Sequence, residues 1–251
     1  MAVYAAVFSP TGTSRRGAWA MASALGEATL LDATCALAPE TLFSPQDVVV
    51  FGAPVYGGRV FQGALKRFST LRGQNTPCLV TVTYGNRDFD DALLELSDFC
   101  RSQGFVPFAG AALVGEHTYG SIQKGRPHQE DLNQDASFAL EAWDDFQAGW
   151  QDFTPPGNRP YKEGGQGGSF IPSTTEACTR CGLCVRQCPM QAIGEDCAAI
   201  DPAKCISCFR CVKSCPAKAK GVFTPEYESF AAAFSEKLKE PKENQYFLAR
   251  D

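Results

Sequence analysis

The sequence predicts an α/β chain: a doubly wound parallel sheet followed by a small α+β module rich in cysteine. Three observations carry that expectation. Apolar, strand-like runs alternate with helix-like stretches over roughly the first 150 residues. Residues 154–168 then hold three prolines and five glycines with hardly any apolar periodicity. Beyond them, nine of the twelve cysteines fall between Cys178 and Cys215.

In chain order, Val3 to Phe8 reads as a buried strand, and Ala18, Met21, Ala22 and Leu25 set a helix after a Gly/Ser/Thr loop. Ala28 to Leu31 is a weaker strand. Val48 to Phe51 is a strong one, ending in Gly52-Ala-Pro-Val-Tyr-Gly-Gly58, and Leu79 to Thr83 another, ending in Tyr84-Gly-Asn-Arg87. From Asp88 to Gln103 a helix places Phe89, Leu93, Leu96 and Cys100 on one face and Asp88, Asp91, Glu95 and Asp98 on the opposite one. The acidic stripe reads as a solvated face, with docking of a basic redox partner as its second reading. A strand at Ala109 to Val114 and a helix at Asp131 to Trp150 complete the alternation, and fully apolar strands mean a parallel sheet. The expected organisation is a first domain over 1–153, a flexible linker over 154–168, a cysteine-rich domain over 169–222, and a C-terminal helix and tail over 223–251. Tyr227, Phe230, Phe234 and Leu238 stand at helical spacing in that last helix and read as a packing face.

Composition narrows the function classes. Hydrophobic residues at 44% supply a core, no run is long enough for a membrane span, and a net charge of -5 argues against nucleic acid. Two histidines leave little for His-based zinc catalysis. No export signal is evident, so a reducing cytoplasm and thiolates that hold metal are expected.

Cys178-x2-Cys181-x2-Cys184-x3-Cys188-Pro189 recurs 27 residues later as Cys205-x2-Cys208-x2-Cys211-x3-Cys215-Pro216. Three cysteines at i, i+3 and i+6 present three sulfurs to three corners of an iron–sulfur cube, and the fourth, before proline, reaches the other cube. One [4Fe–4S] cluster is therefore expected on Cys178, Cys181, Cys184 and Cys215, the other on Cys205, Cys208, Cys211 and Cys188. Structural zinc is the competing reading, but it requires neither the third cysteine nor the reciprocal fourth. Cys197 lies outside the repeat and reads as a small buried hydrophobe. The stretch resembles a bacterial-type ferredoxin with two clusters. It departs at Phe209-Arg210, where such ferredoxins have glycine after the second cysteine.

Ser9-Pro-Thr-Gly-Thr-Ser14 joins the first strand to the first helix. It reads as an anion cradle of amides and hydroxyls, or by itself as a polar helix cap. All three polar loops follow strands, where a doubly wound sheet opens its ligand crevice. Tyr56 offers a stacking face, and Tyr84-Gly85-Asn86 a third wall. A planar ring bearing a phosphate suits these walls, which describes FMN. Here the first domain resembles flavodoxin, since Ser9, Thr11, Gly12 and Ser14 match that family's phosphate signature. The whole chain is similar to the flavodoxin–ferredoxin fusions of anaerobic bacteria. The FMN contacts expected are Ser9, Thr11, Gly12, Thr13 and Ser14; Pro54, Val55, Tyr56, Gly57 and Gly58; and Thr83, Tyr84, Gly85, Asn86 and Phe89. The resemblance also puts Glu116 to Tyr119 and Gly125 to Pro127 on the flavin side.

The resemblance implies electron carriage between FMN, the two clusters and redox partner proteins. The alternative is a flavin-dependent reductase fed by its clusters, and a redox or iron sensor is a third reading. No NAD(P)H fingerprint is present. A homodimer is compatible with the sequence.

Overall fold

The computed structural model describes residues 1–250. Its strands and helices run β1 (Val3–Val7), α1 (Thr13–Leu25), β2 (Ala28–Asp32), β3 (Thr41–Phe43), β4 (Val48–Tyr56), β5 (Arg59–Val60), α2 (Gln62–Phe68), β6 (Leu71–Gly73), β7 (Thr76–Tyr84), α3 (Ala92–Ser102), β8 (Phe105–Val114) and α4 (Gln129–Gln147). They continue with β9 (Ser173–Thr174), α5 (Leu183–Gln187), α6 (Arg210–Lys213), β10 (Lys220–Gly221), α7 (Pro225–Lys237) and β11 (Gln245–Leu248).

The main sheet has the order β11-β8-β7-β4-β1-β2, with β5 paired to β4. All its long strands are parallel. Taken along the chain, its five parallel strands follow the order 2-1-3-4-5 of the flavodoxin-like doubly wound fold. β1 is the pivot, with Ala5 level with Leu30 of β2 on one side and Val50 of β4 on the other. Successive residues point to opposite faces, so the sheet feeds two cores. Val7 and Val50 pack with Met21 and Ala22 of α1 and Phe138 and Ala139 of α4. Phe51 and Val80 pack with Phe68 of α2 and Leu93 and Leu96 of α3. The chain leaves β1 toward β2 on one side and β4 on the other, which opens a crevice at their carboxyl ends.

The tail is more than a tail. β11 returns from the second module and pairs antiparallel with β8, covering that sheet edge. Its approach is fixed by Arg126, which donates to the Lys242 carbonyl at 2.6 Å, and by the Asn244 side-chain oxygen, which accepts from the Val114 amide at 2.8 Å.

Residues 154–168 are not the flexible tether their composition predicts, and of the acidic stripe only Asp88 is exposed. Asp91 and Glu95 are only 3% and 4% exposed. Asp91 accepts the backbone amides of Asn158 and Lys162, both at 2.8 Å. Asp98 accepts from Arg159 and from the Tyr161 hydroxyl. Glu95 takes the Arg59 guanidinium, which also stacks over Tyr161 at 4.5 Å. Asp91 and Asp98 thus bind the connecting segment directly, and Glu95 holds it through Arg59, which donates to the Lys162 carbonyl at 2.7 Å.

The cysteine-rich module repeats its backbone as well as its sequence. Left-handed residues recur 27 positions apart at Arg180 and Ser207, Gly182 and Phe209, and Gln191 and Lys218. Phe209, φ +56°, thus holds a conformation that its counterpart fills with glycine. Tyr227 of α7 packs against Phe209 and Phe170, and Phe234 against His117, so the predicted packing face bridges both modules. Among the described residues no helix is long and apolar enough to cross a membrane.

Candidate functional site

The crevice is a cavity of about 420 Å³ at the carboxyl ends of β1, β4 and β7. One wall is the loop after β1, carrying Ser9, Thr11, Thr13 and Ser14. The Ser9 hydroxyl accepts from the Arg15 amide at 3.0 Å, which curls the loop onto the start of α1. Gly12, φ +84°, makes the turn but faces a neighbouring cleft rather than the cavity. A second wall is Pro54, Val55, Tyr56 and Gly57. The Tyr56 carbonyl accepts from the Gly165 amide at 2.8 Å and that of Gly58 from the Asp91 amide at 3.0 Å. The Gly57 carbonyl has no partner among the described residues. Thr83, Tyr84 and Gly85 form a third wall, and the Thr83 hydroxyl is buried there without a hydrogen-bond partner. Such an orphan marks a place where a bound polar group belongs.

Besides Gly12, three more expected contacts lie outside the cavity wall. Gly58 packs beside Asp90 and Lys162. Asn86, 1% exposed, donates to the carbonyls of Leu238 and Glu240 and accepts the Lys242 amide, each at 2.8 Å, so it clamps the tail. Phe89 packs between Tyr84 and Phe247 of β11. All three are displaced by segments distant in the chain, which no local pattern announces.

Glu116 to Tyr119 form a fourth wall. His117 accepts the Tyr119 amide on Nδ1 at 2.8 Å, and burial pushes its imidazole down to about 4, so it is neutral at pH 7. Gly125 to Pro127 do not line the cavity; the Gly125 amide is held by Glu116 at 2.9 Å. Two further walls escaped the sequence reading: Gly164 to Gly168 of the connecting segment, and Ser207 with Cys208 of the second module. The glycine run was the available signal. It serves close backbone approach, since a Cβ on Gly164 would stand 2.7 Å from the Gly57 carbonyl oxygen.

Two smaller voids lie in the second module. One is lined by Cys178, Cys181, Cys184 and Cys215, with buried Cys197 beside them; the other by Cys188, Cys205, Cys208 and Cys211. The chain brings each fourth cysteine across to the opposite triplet. Backbone amides donate to sulfur in matched pairs: Arg180 to Cys178 and Ser207 to Cys205 at 3.4 Å, Ala192 to Cys188 and Ala219 to Cys215 at 3.3 Å. Among the described residues no three His, Cys, Asp or Glu side chains close on a single-ion spacing; the sulfurs stand around voids. Burial pushes the Cys208 thiol up to about 12 and Cys211 to about 11, so thiolates there call for a positive core between them.

Residues 171–216 match the family described as a 4Fe-4S dicluster domain. Among solved structures, the chain is similar to flavodoxin 1 from Bacillus cereus, with 15% identity over 57% of this chain and 98% of that one at a TM-score of 0.44. It is likewise similar to a flavodoxin from the domain Archaea, with 11% identity over 59% and 99% at 0.39. A third similarity is to the rubredoxin oxygen:oxidoreductase of Desulfovibrio gigas, with 13% identity over 59% and 36% at 0.39. None of the curated proteins compared matches the chain. With its 2-1-3-4-5 parallel sheet and its crossed cysteine quartets, the chain fits a fusion of a flavodoxin-like module with a ferredoxin-type 4Fe-4S module.

Proposed function

We propose that the cavity holds FMN, that each cysteine quartet holds a [4Fe–4S] cluster, and that the chain is an electron carrier serving redox partner proteins. One observation carries this reading: Cys208 belongs to the second quartet and is also a wall residue of the cavity. The two centres share a residue.

The residues suit the flavin. The volume lies within the range of small-molecule sites. The loop from Ser9 to Ser14 offers hydroxyls and helix N-terminal amides to a phosphate. Tyr56 and His117 bring aromatic rings to the wall, and the Thr83 hydroxyl and the Gly57 carbonyl stand ready to donate and accept. When bound, FMN exchanges one or two electrons and each cube one at a time, so the pair adapts two-electron to one-electron chemistry. Gly164 to Gly168 and the Tyr119 loop cover the site and restrict water.

Protein purified without oxygen should contain one FMN and about eight irons with matching acid-labile sulfide. Stepwise redox titration should resolve the flavin from the clusters. NADH or NADPH alone should not reduce it at a useful rate, whereas adding a ferredoxin-reducing enzyme should. Zinc without sulfide would overturn the cluster assignment. Rapid reduction by either nicotinamide would favour the reductase reading.

A further inference from the structure

Beside the cavity, on the other side of the loop after β1, lies a cleft of about 260 Å³ between the two modules. Ser9 to Gly12 form one lip, and Arg210, Lys213 and Ser214 of the second module form the other, with Arg15 at the start of α1. The cleft holds three cations and one acid, Asp32, whose carboxylate already accepts the Thr34 amide at 2.9 Å. Lys213 pairs with Glu116 at 2.7 Å. The Arg15 and Arg210 side chains have no hydrogen-bond or ion-pair partner among the described residues.

The cavity itself is poor in positive charge. Glu116 is the one formally charged residue on its wall, His117 being neutral at pH 7. A phosphate monoester carries nearly two negative charges at pH 7, and the Ser9–Ser14 loop answers it with neutral donors and a partial helix charge alone. Two unpaired guanidiniums on the other side of the loop supply the positive charge that the wall lacks.

We propose that this cleft is the electrostatic half of the phosphate site, where Arg15 from the first module and Arg210, backed by Lys213, from the second neutralise the terminal phosphate of the bound flavin. The inference rests on the FMN reading. It makes phosphate recognition a property of the docked pair, with selectivity for FMN over riboflavin set in part by the second module.

Flavin-depleted full-length protein with its clusters intact is titrated with FMN and with riboflavin, binding being read by quenching of flavin fluorescence at low and high salt. Arg210→Gln is expected to weaken FMN about tenfold, to leave riboflavin unchanged, and to flatten the salt dependence. Arg15→Gln should do the same from the first module. Lys204→Gln, a cation of the second module outside the cleft, should change neither ligand. A ratio of FMN to riboflavin affinity that stays within twofold of wild type in both arginine variants, or an equal loss for both ligands, overturns the proposal while the FMN reading stands. Wild type that binds neither flavin overturns both.

Discussion

The ring of Phe209 meets that of Tyr119 edge-on, with centroids 5.2 Å apart. Phe209 sits in the second cysteine loop and Tyr119 on the cavity wall, so this contact joins the two modules beside Cys208. The phenylalanine holds φ +56° to do so, at a cost of about 1–2 kcal/mol that glycine would not bear. Phe209→Gly removes that strain together with aromatic contacts of about 0.5–1.5 kcal/mol each. Because Phe209 is only 5% exposed, the lost burial of a core phenylalanine, about 3–5 kcal/mol, outweighs the relieved strain, so global stability should fall by roughly 2–4 kcal/mol while iron content holds. Amide exchange over 116–119 and 164–170 should rise; unchanged exchange there would mean the ring does not pin the modules.

Cys215 lines the void of the Cys178 triplet although it lies nearest in sequence to the Cys205 triplet. Cys215→Ala should halve the iron from about eight to about four per chain. In the reduced protein the surviving paramagnetic signal should respond to a second mutation at Cys205 and not to one at Cys178. The opposite response would mean that the quartets are not crossed.

Asp91 ties down the connecting segment. Burial opposes its ionisation, but the amides of Lys162 and Asn158 outweigh that and hold it below its ordinary 3.8. Asp91→Ala strands two donors and should cost about 3 kcal/mol, with faster tryptic cleavage after Lys162. Because the folded pKa is depressed, the stabilisation is present above pH 3.8 and is lost as pH falls through the lower folded value. Wild type and variant should converge in stability below that range; a constant gap in chemical denaturation down to pH 2 would contradict the role.

Asp135 behaves with the opposite sign. It is fully buried in α4 beneath the returning strand, accepting from Tyr246 at 2.7 Å and Asn244 at 3.2 Å on one oxygen while the other has no partner. Burial, aided by nearby Asp131, raises it from 3.8 to about 7. The folded state therefore keeps the proton longer than the unfolded chain, and stability falls as pH rises from about 4 to 7. Asp135→Asn should gain up to about 4 kcal/mol at pH 8 and almost nothing at pH 4, read from denaturant midpoints at the two pH values.

Local patterns carried much of this protein into view. The alternation of apolar runs determined the parallel sheet, because a strand buried on both faces must read as continuous Val, Ala and Phe, as Val48 to Phe51 does. The repeat of Cys178 to Pro189 at Cys205 to Pro216 made both cysteine quartets legible, since each triplet is a property of one short loop and the cysteine before proline marks the crossing one. Tertiary structure alone decided the remainder. Asn86 looks like a cavity residue beside Tyr84 and Gly85, yet it holds carbonyls more than 150 residues away, and such bonds leave no trace in either segment. β11 is four residues long and too short to show a period; its place follows from Arg126 and Asn244. Glycine-rich sequence between modules has the same composition whether the chain swings freely or must lie against another backbone, and only the partners of the fold, Asp91 and Asp98 for residues 158–162 and the Tyr56 and Ile206 carbonyls for the glycines, select the second. The meeting of Cys208 with the cavity is set by the contact between the two modules, whose surfaces come from segments far apart in the chain.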